Sequence, residues 1–125
     1  MVSIATDTVT ATIPIHPVSL PGGDFELGTP QQVAVSPSDA MVYVTDSAND
    51  EVAMISTASN TQTGAVSVGS SPYGAAVTPD GTAAWILNTD DGTISLIDTA
   101  TTTVTATISG FNGPLGIAFI PARWM

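Results

Sequence analysis

The sequence predicts an all-β fold built from a four-stranded unit that occurs about three times. The chain matches itself after a shift of 42 residues, most plainly in two columns of prolines: Pro30, Pro72 and Pro114, and Pro37, Pro79 and Pro121. The apolar segments between these prolines are short, alternate with polar residues, and are bounded by Pro, Asp, Asn and Gly, as strands are. A strand-only repeat of about 40–50 residues is typical of a β-propeller blade.

The strands of the unit are clearest in its second whole copy. Four are predicted there, at residues 74–77, 83–87, 93–97 and 103–108. The first strand consists of small apolar residues and the second contains bulky ones. In the last two strands, residues of two kinds alternate with a period of 2. Polar turns separate them, in which Gly supplies positive φ and Asp or Asn side chains bond the local backbone. Helical spacing occurs nowhere in the sequence, so four antiparallel strands make the predicted unit.

Three short motifs carry a resemblance to a known family. They are Gly-x-Ala-Val-Thr-Pro-Asp-Gly at 74–81, Tyr-Val-Thr-Asp at 43–46, and Ile-Ser-Leu-Ile-Asp-Thr-Ala at 94–100. In these motifs the chain resembles the YVTN-type β-propeller repeat, over nearly all of its length except residues 14–27. Asp46 stands where that pattern usually has Asn, and Leu87 where it has Thr. The resemblance implies the blade fold and says little about activity, because the family includes surface-layer proteins, enzyme domains and proteins of unknown role.

The 42-residue period also divides the chain. The hexapeptide at 8–13 is identical to that at 103–108, so the chain opens on the outer strands of a blade. Residues 14–27 break the period and form an insertion that holds the only His. The predicted single repeat domain, 1–125, therefore consists of outer strands of a split blade (1–13), the insertion (14–27), two whole blades (28–68 and 69–109) and the inner strand of a split blade (110–125).

About three blades are fewer than the four to eight of closed propellers. We expect the two halves of the split blade to meet between chains, so that two copies arranged head to tail make a six-bladed ring. The residues predicted to form this junction are Thr8, Val9, Ile13, Leu115, Ile117 and Phe119. Two alternatives stay open from the sequence: the chain is a truncated piece of a longer propeller, or it forms an open fibre by strand donation.

Composition restricts the partners. Acidic residues outnumber basic ones by 11 to 1, for a net charge of −10, which disfavours nucleic acid because phosphate binding needs Lys and Arg. The absence of Cys excludes disulfides and thiolate metal sites. The sequence shows neither a signal peptide nor an apolar run suited to membrane insertion. Its composition suits a secreted or cell-surface β-protein.

The acidic residues are predicted to concentrate at one end of the blades. We call this the upper end, formed by the turns after each second strand and the connections between blades. The residues expected there are His16, Asp24, Glu26, Asp46, Asp50, Glu51, Asp90 and Asp91. Such a surface could bind Ca²⁺ through oxygen ligands, or a neutral or cationic small molecule or protein. The alternative is that these are solvated, Asx-rich turns without a ligand.

The functional prediction is a non-catalytic binding or structural module, extracellular, that assembles as a homo-oligomer and needs no cofactor. A phosphate loop, a nucleophile elbow and a Ser/His/Asp arrangement are all missing from the sequence, and the adjacent acids at 50–51 and 90–91 are a weak signal for acid–base work. We expect Tyr43 and Trp85 to pack between blades, and Asp80 and Asp98 to bond turn backbone. The alternatives are a subunit of a lactonase-like or quinone- or haem-type propeller enzyme, which the family resemblance implies, and a strand-donating filament subunit.

Overall fold

The computed structural model describes residues 2–3, 8–9, 11–14, 28–113 and 116–117, in which all regular structure is strand. The strands are β1 (Val2–Ser3), β2 (Thr8–Val9), β3 (Pro30–Val35), β4 (Met41–Asp46), β5 (Glu51–Ser56), β6 (Thr61–Ser67), β7 (Pro72–Val77), β8 (Ala83–Asn88), β9 (Thr93–Asp98) and β10 (Thr103–Ser109). Short turns join consecutive strands within the sheets formed by β3–β6 and by β7–β10, and all paired strands there are antiparallel.

Each whole repeat forms one sheet. The first sheet has the order β3-β4-β5-β6, and the second has the order β7-β8-β9-β10. Each strand therefore pairs only with its neighbours in the chain, as in a blade. The predicted pairing of residues 74–77 beside 83–87 is confirmed by the register of β7 against β8.

The two sheets also share their irregularities. The register shifts between Pro30 and Val33 in the first sheet and between Pro72 and Ala75 in the second, again 42 residues apart. Left-handed backbone recurs at the same interval in four pairs of residues: Asp39 and Gly81, Asp50 and Gly92, Asn60 and Thr102, and Ser71 and Gly113. The repeat therefore determines the bulges and turns as well as the strands.

The core lies between the sheets, which pack face to face. Tyr43 and Val52 of the first sheet meet Ile86 and Ile97 of the second, and all four are at most 3% exposed. Burial of one such aliphatic side chain contributes about 1.5–3 kcal/mol. The prediction that Tyr43 packs between blades is thus confirmed, whereas Trp85 lies between Ala84 and Ile86 on β8 and so faces away from the first sheet.

Polar contacts join the two sheets near their inner strands. The Thr45 hydroxyl donates to the Tyr73 carbonyl (2.8 Å), and the Ala75 amide donates to Oε1 of Gln32 (3.2 Å). These bonds satisfy groups that the packing of the sheets removes from water, because an unpaired buried polar group is costly. They also hold the inner strands in one relative position.

The N-terminal residues lie on the far side of the first sheet. β1 pairs with β2, and beyond it Ile13 packs on a cluster formed by Val44, Ala53 and Ile55. Of the predicted strand 8–13, Thr8 and Val9 form β2, residues 11–13 are not in a ladder, and residue 10 lies outside the described residues. Of the predicted strand 115–120, the described residues are 116 and 117, which are not part of a ladder.

The left-handed pair Asn60 and Thr102 generates a stability prediction. A β-branched residue is strained at positive φ, whereas Asn tolerates it. Thr102 has φ 55° and Asn60 has φ 53° in the matching turn. We expect Thr102→Asn to stabilise the fold by up to about 1 kcal/mol and the reciprocal Asn60→Thr to destabilise it similarly, measured by urea unfolding. Changes of the same sign in the two variants would contradict this account.

Candidate functional site

At the upper end, the connection between the two sheets, residues 68–71, forms hydrogen bonds with the turns on both sides of it. This connection runs between the turn after β4 and the turn after β8, and bonds to both. The Val68 amide donates to the Asp50 carbonyl (2.9 Å), and the amides of Thr89 and Asp90 donate to the carbonyls of Ser71 and Ser70 (3.0 and 3.3 Å). The structure therefore brings the two predicted acidic turns to one surface.

Three exposed carboxylates bond this connection through their side chains. Asp50 accepts the Ser71 amide (2.9 Å), and Asp91 accepts the Ser70 amide (2.8 Å). Asp90 accepts the Ser71 hydroxyl (2.6 Å). Each of these carboxylates is held through one of its oxygens, so the negative charges occupy defined positions at the upper end. Charge-assisted bonds of this kind are stronger than those between neutral groups.

Gly69 allows these groups to come together. A Cβ atom at this position would lie 2.6 Å from Oδ2 of Asp91 and 2.7 Å from Cγ of Asn88. Such distances are shorter than any ordinary contact, so a larger residue would displace both side chains. The amides of Ser70 and Ser71 and the Ser71 hydroxyl thus position the acidic side chains, which the sequence did not indicate.

Asp46 differs from the other carboxylates of the upper end because it is buried, with 1% exposure. Its Oδ1 accepts the amides of Thr29 (2.8 Å) and Ala48 (3.1 Å), and its Oδ2 accepts Nδ2 of Asn49 (2.8 Å). A carboxylate that accepts three hydrogen bonds is a structural acceptor of the turn. Asp46 therefore offers little surface to a partner, unlike its prediction as a surface residue.

Glu51 lies directly across from Asp46 in the register of β4 with β5. Its Oε2 is buried and has no hydrogen-bond partner among the described residues. Burial raises the pKa of Glu51, and the negative charge of Asp46 raises it further. The surroundings of Glu51 therefore disfavour its charged form.

The second sheet carries Asn88 where the first carries Asp46. Asn88 is fully buried, and its Nδ2 donates to the hydroxyls of Thr93 (3.0 Å) and Ser95 (2.9 Å). Its Oδ1 has no partner within the described part of the chain. The two blades thus use different polar groups at one repeat position, a charged acceptor in the first and an amide in the second.

Several of the predicted site residues cannot be placed. His16, Asp24 and Glu26 fall outside the described residues, as do Leu115 and Phe119. Within the described ranges, no group of three or more acidic or His side chains is close enough to hold a metal ion, and Ca²⁺ binding stays a prediction. None of the described residues belongs to a helix that could cross a membrane.

The opposite end of the sheets holds Asp80 and Asp98, and both bond turn backbone as predicted. Asp80 accepts the Thr82 amide (3.0 Å) and the hydroxyls of Thr78 and Thr82 (2.7 and 2.8 Å). These bonds lower the pKa of Asp80 from 3.8 to about 2, the Thr82 amide first among them. Asp98 accepts the amides of Ala100 (2.8 Å) and Thr101 (3.3 Å).

Two four-stranded meanders, packed face to face and joined by a short connection, have the arrangement of two neighbouring β-propeller blades. The sequence matches the family described as YNCE-like beta-propeller over residues 15–125. The chain therefore belongs to the YNCE-like β-propeller family, which is consistent with the YVTN-type repeat recognised from its motifs. None of the curated proteins gives a significant sequence match.

Solved structures with a similar fold are much longer than this chain. Kuenenia stuttgartiensis hydrazine synthase is 23% identical, with a TM-score of 0.71, over 78% of this chain and 28% of that one. Apo AztD from Citrobacter koseri is 17% identical (TM-score 0.63; 76% of this chain, 28% of that one). U3-55K is 13% identical (TM-score 0.62; 69% and 28%). The chain thus spans less than a third of these propeller structures, and the likeness concerns the fold alone.

Glu51 gives rise to a pH-dependent prediction. The pKa of Glu51 is raised above its ordinary value of 4.5 in the folded state, so between the two pKa values the folded protein binds more protons than the unfolded chain. The free energy of unfolding therefore falls as the pH rises through the pKa of the folded state. We expect Glu51→Gln to raise Tm at pH 7, with a smaller gain at pH 4, measured by circular dichroism. A Tm that falls at pH 7 would contradict this reading.

Asp80→Asn serves as the control of opposite sign. The lowered pKa of Asp80 stabilises the fold above 3.8, and this stabilisation is lost as the pH falls through about 2. Asp80→Asn should therefore lower Tm at pH 7, and its difference from the parent protein should shrink toward pH 2. Equal pH profiles for the two variants would show that neither carboxyl group titrates as described.

Proposed function

We propose that this chain is a non-catalytic binding or structural propeller module, extracellular and homo-oligomeric, whose upper end is the surface that meets a partner. The observation that supports this most directly is the arrangement of Asp50, Asp90 and Asp91. All three are exposed and are held by the same connection, residues 70–71. The described part of the chain contains neither Lys nor Arg to neutralise them, since the only such residue is Arg123.

The fixed position of these carboxylates favours binding. A flexible acidic loop loses conformational entropy when it meets a partner, whereas a surface ordered beforehand loses less. Here the hydrogen bonds to Ser70 and Ser71 order the side chains without a ligand. A partner for this surface is neutral or cationic, because a net charge of −10 repels anions over a Debye length of about 8–10 Å.

We propose a non-catalytic role because the chain has few of the side chains that propeller enzymes use for catalysis. Propeller enzymes of the quinone, haem and lactonase types draw on several His, Arg or Lys side chains, and this chain has one His and one Arg in total. A second candidate function remains supported by the likeness to hydrazine synthase, an enzyme. In that case the chain supplies blades to a larger propeller enzyme, and other chains or segments supply the catalytic groups.

Binding of a hexalysine peptide tests the acidic surface. The variant Asp50→Asn, Asp90→Asn, Asp91→Asn removes three charges while each Asn retains an oxygen that accepts the existing hydrogen bond. We expect isothermal titration at low salt to show at least ten-fold weaker binding than in the parent protein, and a smaller dependence of Kd on salt, because exposed charges are screened.

The matched control removes three carboxylates from the opposite end of the sheets: Asp39→Asn, Asp80→Asn, Asp98→Asn. It has the same net charge, so it should bind hexalysine nearly as well as the parent protein does. Equal loss of affinity in the two triple variants would show that total charge, and not the upper end, governs binding. Unchanged affinity in the upper-end variant would move the site to another surface.

A further inference from the structure

A polar cavity of about 330 Å³ lies between the outer strands of the two sheets, next to the upper end. Its polar lining consists of residues 67 and 69 on the side of the first sheet and of Asp91, Thr93, Ser95 and Thr107 on the side of the second. Ser95 faces the first sheet, because it lies two residues from Ile97, which packs in the core between the sheets. A cavity of this size, near the lower limit for ligand pockets, holds one small molecule.

Two hydroxyl groups of the cavity are particular to the second sheet. In the register of β9 with β10, Ser95 pairs with Thr107. The pair that matches it one repeat earlier, in β5 and β6, is Ala53 with Ala65. The register around the two pairs is the same, so Ala at both positions is sufficient to build the sheet. The hydroxyl groups of Ser95 and Thr107 are therefore available for another role.

Asn88 determines how two hydroxyl groups of the cavity are directed. Its Nδ2 donates to Oγ1 of Thr93 (3.0 Å) and to Oγ of Ser95 (2.9 Å). Each hydroxyl therefore acts as an acceptor toward Asn88 and keeps its own proton for another partner. Gly69 leaves room for this amide, since a Cβ there would lie 2.7 Å from its Cγ and Nδ2.

The same amide group carries an energetic cost. Asn88 is fully buried, and its Oδ1 has no hydrogen-bond partner among the described residues. A buried polar atom without a partner lowers stability, and such an atom in a folded protein calls for an explanation. A role of Asn88 in directing the two hydroxyl groups toward a ligand provides one.

The cavity also offers an acceptor and an apolar surface. Asp91 is exposed, and its Oδ2 accepts the Ser70 amide (2.8 Å), so its Oδ1 can accept a proton from a ligand. Val68 and Val104 line the cavity beside these polar groups. The cavity thus combines hydroxyl donors on β9, a carboxylate acceptor and two apolar side chains.

We propose that this cavity binds one ring of an uncharged polyhydroxylated ligand, a monosaccharide that is free or that ends a glycan chain. Each hydroxyl group of a sugar both accepts and donates, so neighbouring hydroxyl groups on one ring satisfy Thr93, Ser95 and Asp91 together. The carbon atoms of the ring lie against Val68 and Val104. The ligand adds to the proposed function and does not depend on it, because the acidic surface and the cavity have only Asp91 in common.

Other classes of small ligand fit this lining less well. Ca²⁺ takes six to eight oxygen ligands, whereas Thr93 and Ser95 present protons and Asp91 is the one carboxylate in the lining. An anion is repelled by Asp91 and by the net charge of −10. An ammonium group can donate to Asp91, but it offers no acceptor to the hydroxyl groups.

NMR titration of the full chain with D-glucose, D-galactose and D-mannose tests the proposal. We expect at least one of them to shift the amide resonances of Gly69 and Ser95, with a Kd of about 1 mM. The double variant Ser95→Ala, Thr107→Ala copies the Ala pair of the first sheet and should bind about ten-fold more weakly, because hydrogen bonds to the ligand are lost. The single variant Thr107→Val, at an exposed position, should bind about three-fold more weakly.

The matched control is Ser59→Ala, Thr61→Ala, which removes one Ser and one Thr hydroxyl from exposed positions of the first sheet and should bind sugar as the parent protein does. The double variant Ser95→Ala, Thr107→Ala should bind hexalysine as the parent does, which checks its fold and separates the cavity from the acidic surface. Loss of hexalysine binding in the parent protein would contradict the proposed function and leave the sugar titration unaffected.

Two results overturn the proposal: a parent protein that responds to none of the three sugars at about 100 mM, and a Ser95→Ala, Thr107→Ala variant that binds sugar as tightly as the parent. Tighter binding of Ca²⁺ or glycine than of any sugar at the same amides overturns the ligand class. Methyl glycosides distinguish the two sources of the ligand. Equal binding of a sugar and its methyl glycoside supports the end of a glycan chain, and binding of the unmodified sugar alone supports a free monosaccharide.

Discussion

The requirement that both faces of each sheet be covered is the constraint on which this structure depends. A four-stranded sheet that is apolar on both faces is not stable alone, and needs a neighbour on each side. Between the two whole blades this need is met, since Val52, Ile86 and Ile97 are buried to within 1%. On the far side of the first sheet it is met only in part, by Ile13.

The polar groups at the upper end obey a related constraint. A connection that passes between two sheets carries amides that must find acceptors. Here side-chain carboxylates are the acceptors. Asp50 and Asp91 therefore stabilise the connection and are also part of the exposed acidic surface. Asp46 has only a structural role in the turn, because it is buried and accepts three hydrogen bonds there. Asp50, Asp90 and Asp91, by contrast, are exposed, and they are the acids through which we propose that a partner binds.

The sequence predicted the strands and their pairing well, because the 42-residue period repeats the pattern of β-branched, aromatic and turn residues. It also predicted that Tyr43 packs between blades. It did not predict the burial of Asp46, because an Asp at a strand end has the same local pattern whether or not a neighbouring turn donates to it. The role of Gly69 was missed for a similar reason: close approach of Asn88 and Asp91 is a tertiary property. The contact of Ile13 with the first sheet was not predicted either, because it depends on where the N-terminal residues lie relative to that sheet.

The matching bulges and left-handed residues have a consequence for how such a chain changes over time. Because left-handed backbone recurs at this interval in four pairs of residues, and one register shift recurs with it, a duplication or deletion of 42 residues leaves each of these turns with the conformation it needs. In repeat proteins each unit contacts mainly its neighbours, so a new junction between two such blades resembles the one between β3–β6 and β7–β10. Recombination within the gene can thus change the number of blades in one step while the geometry of the turns and of the contacts between blades is kept.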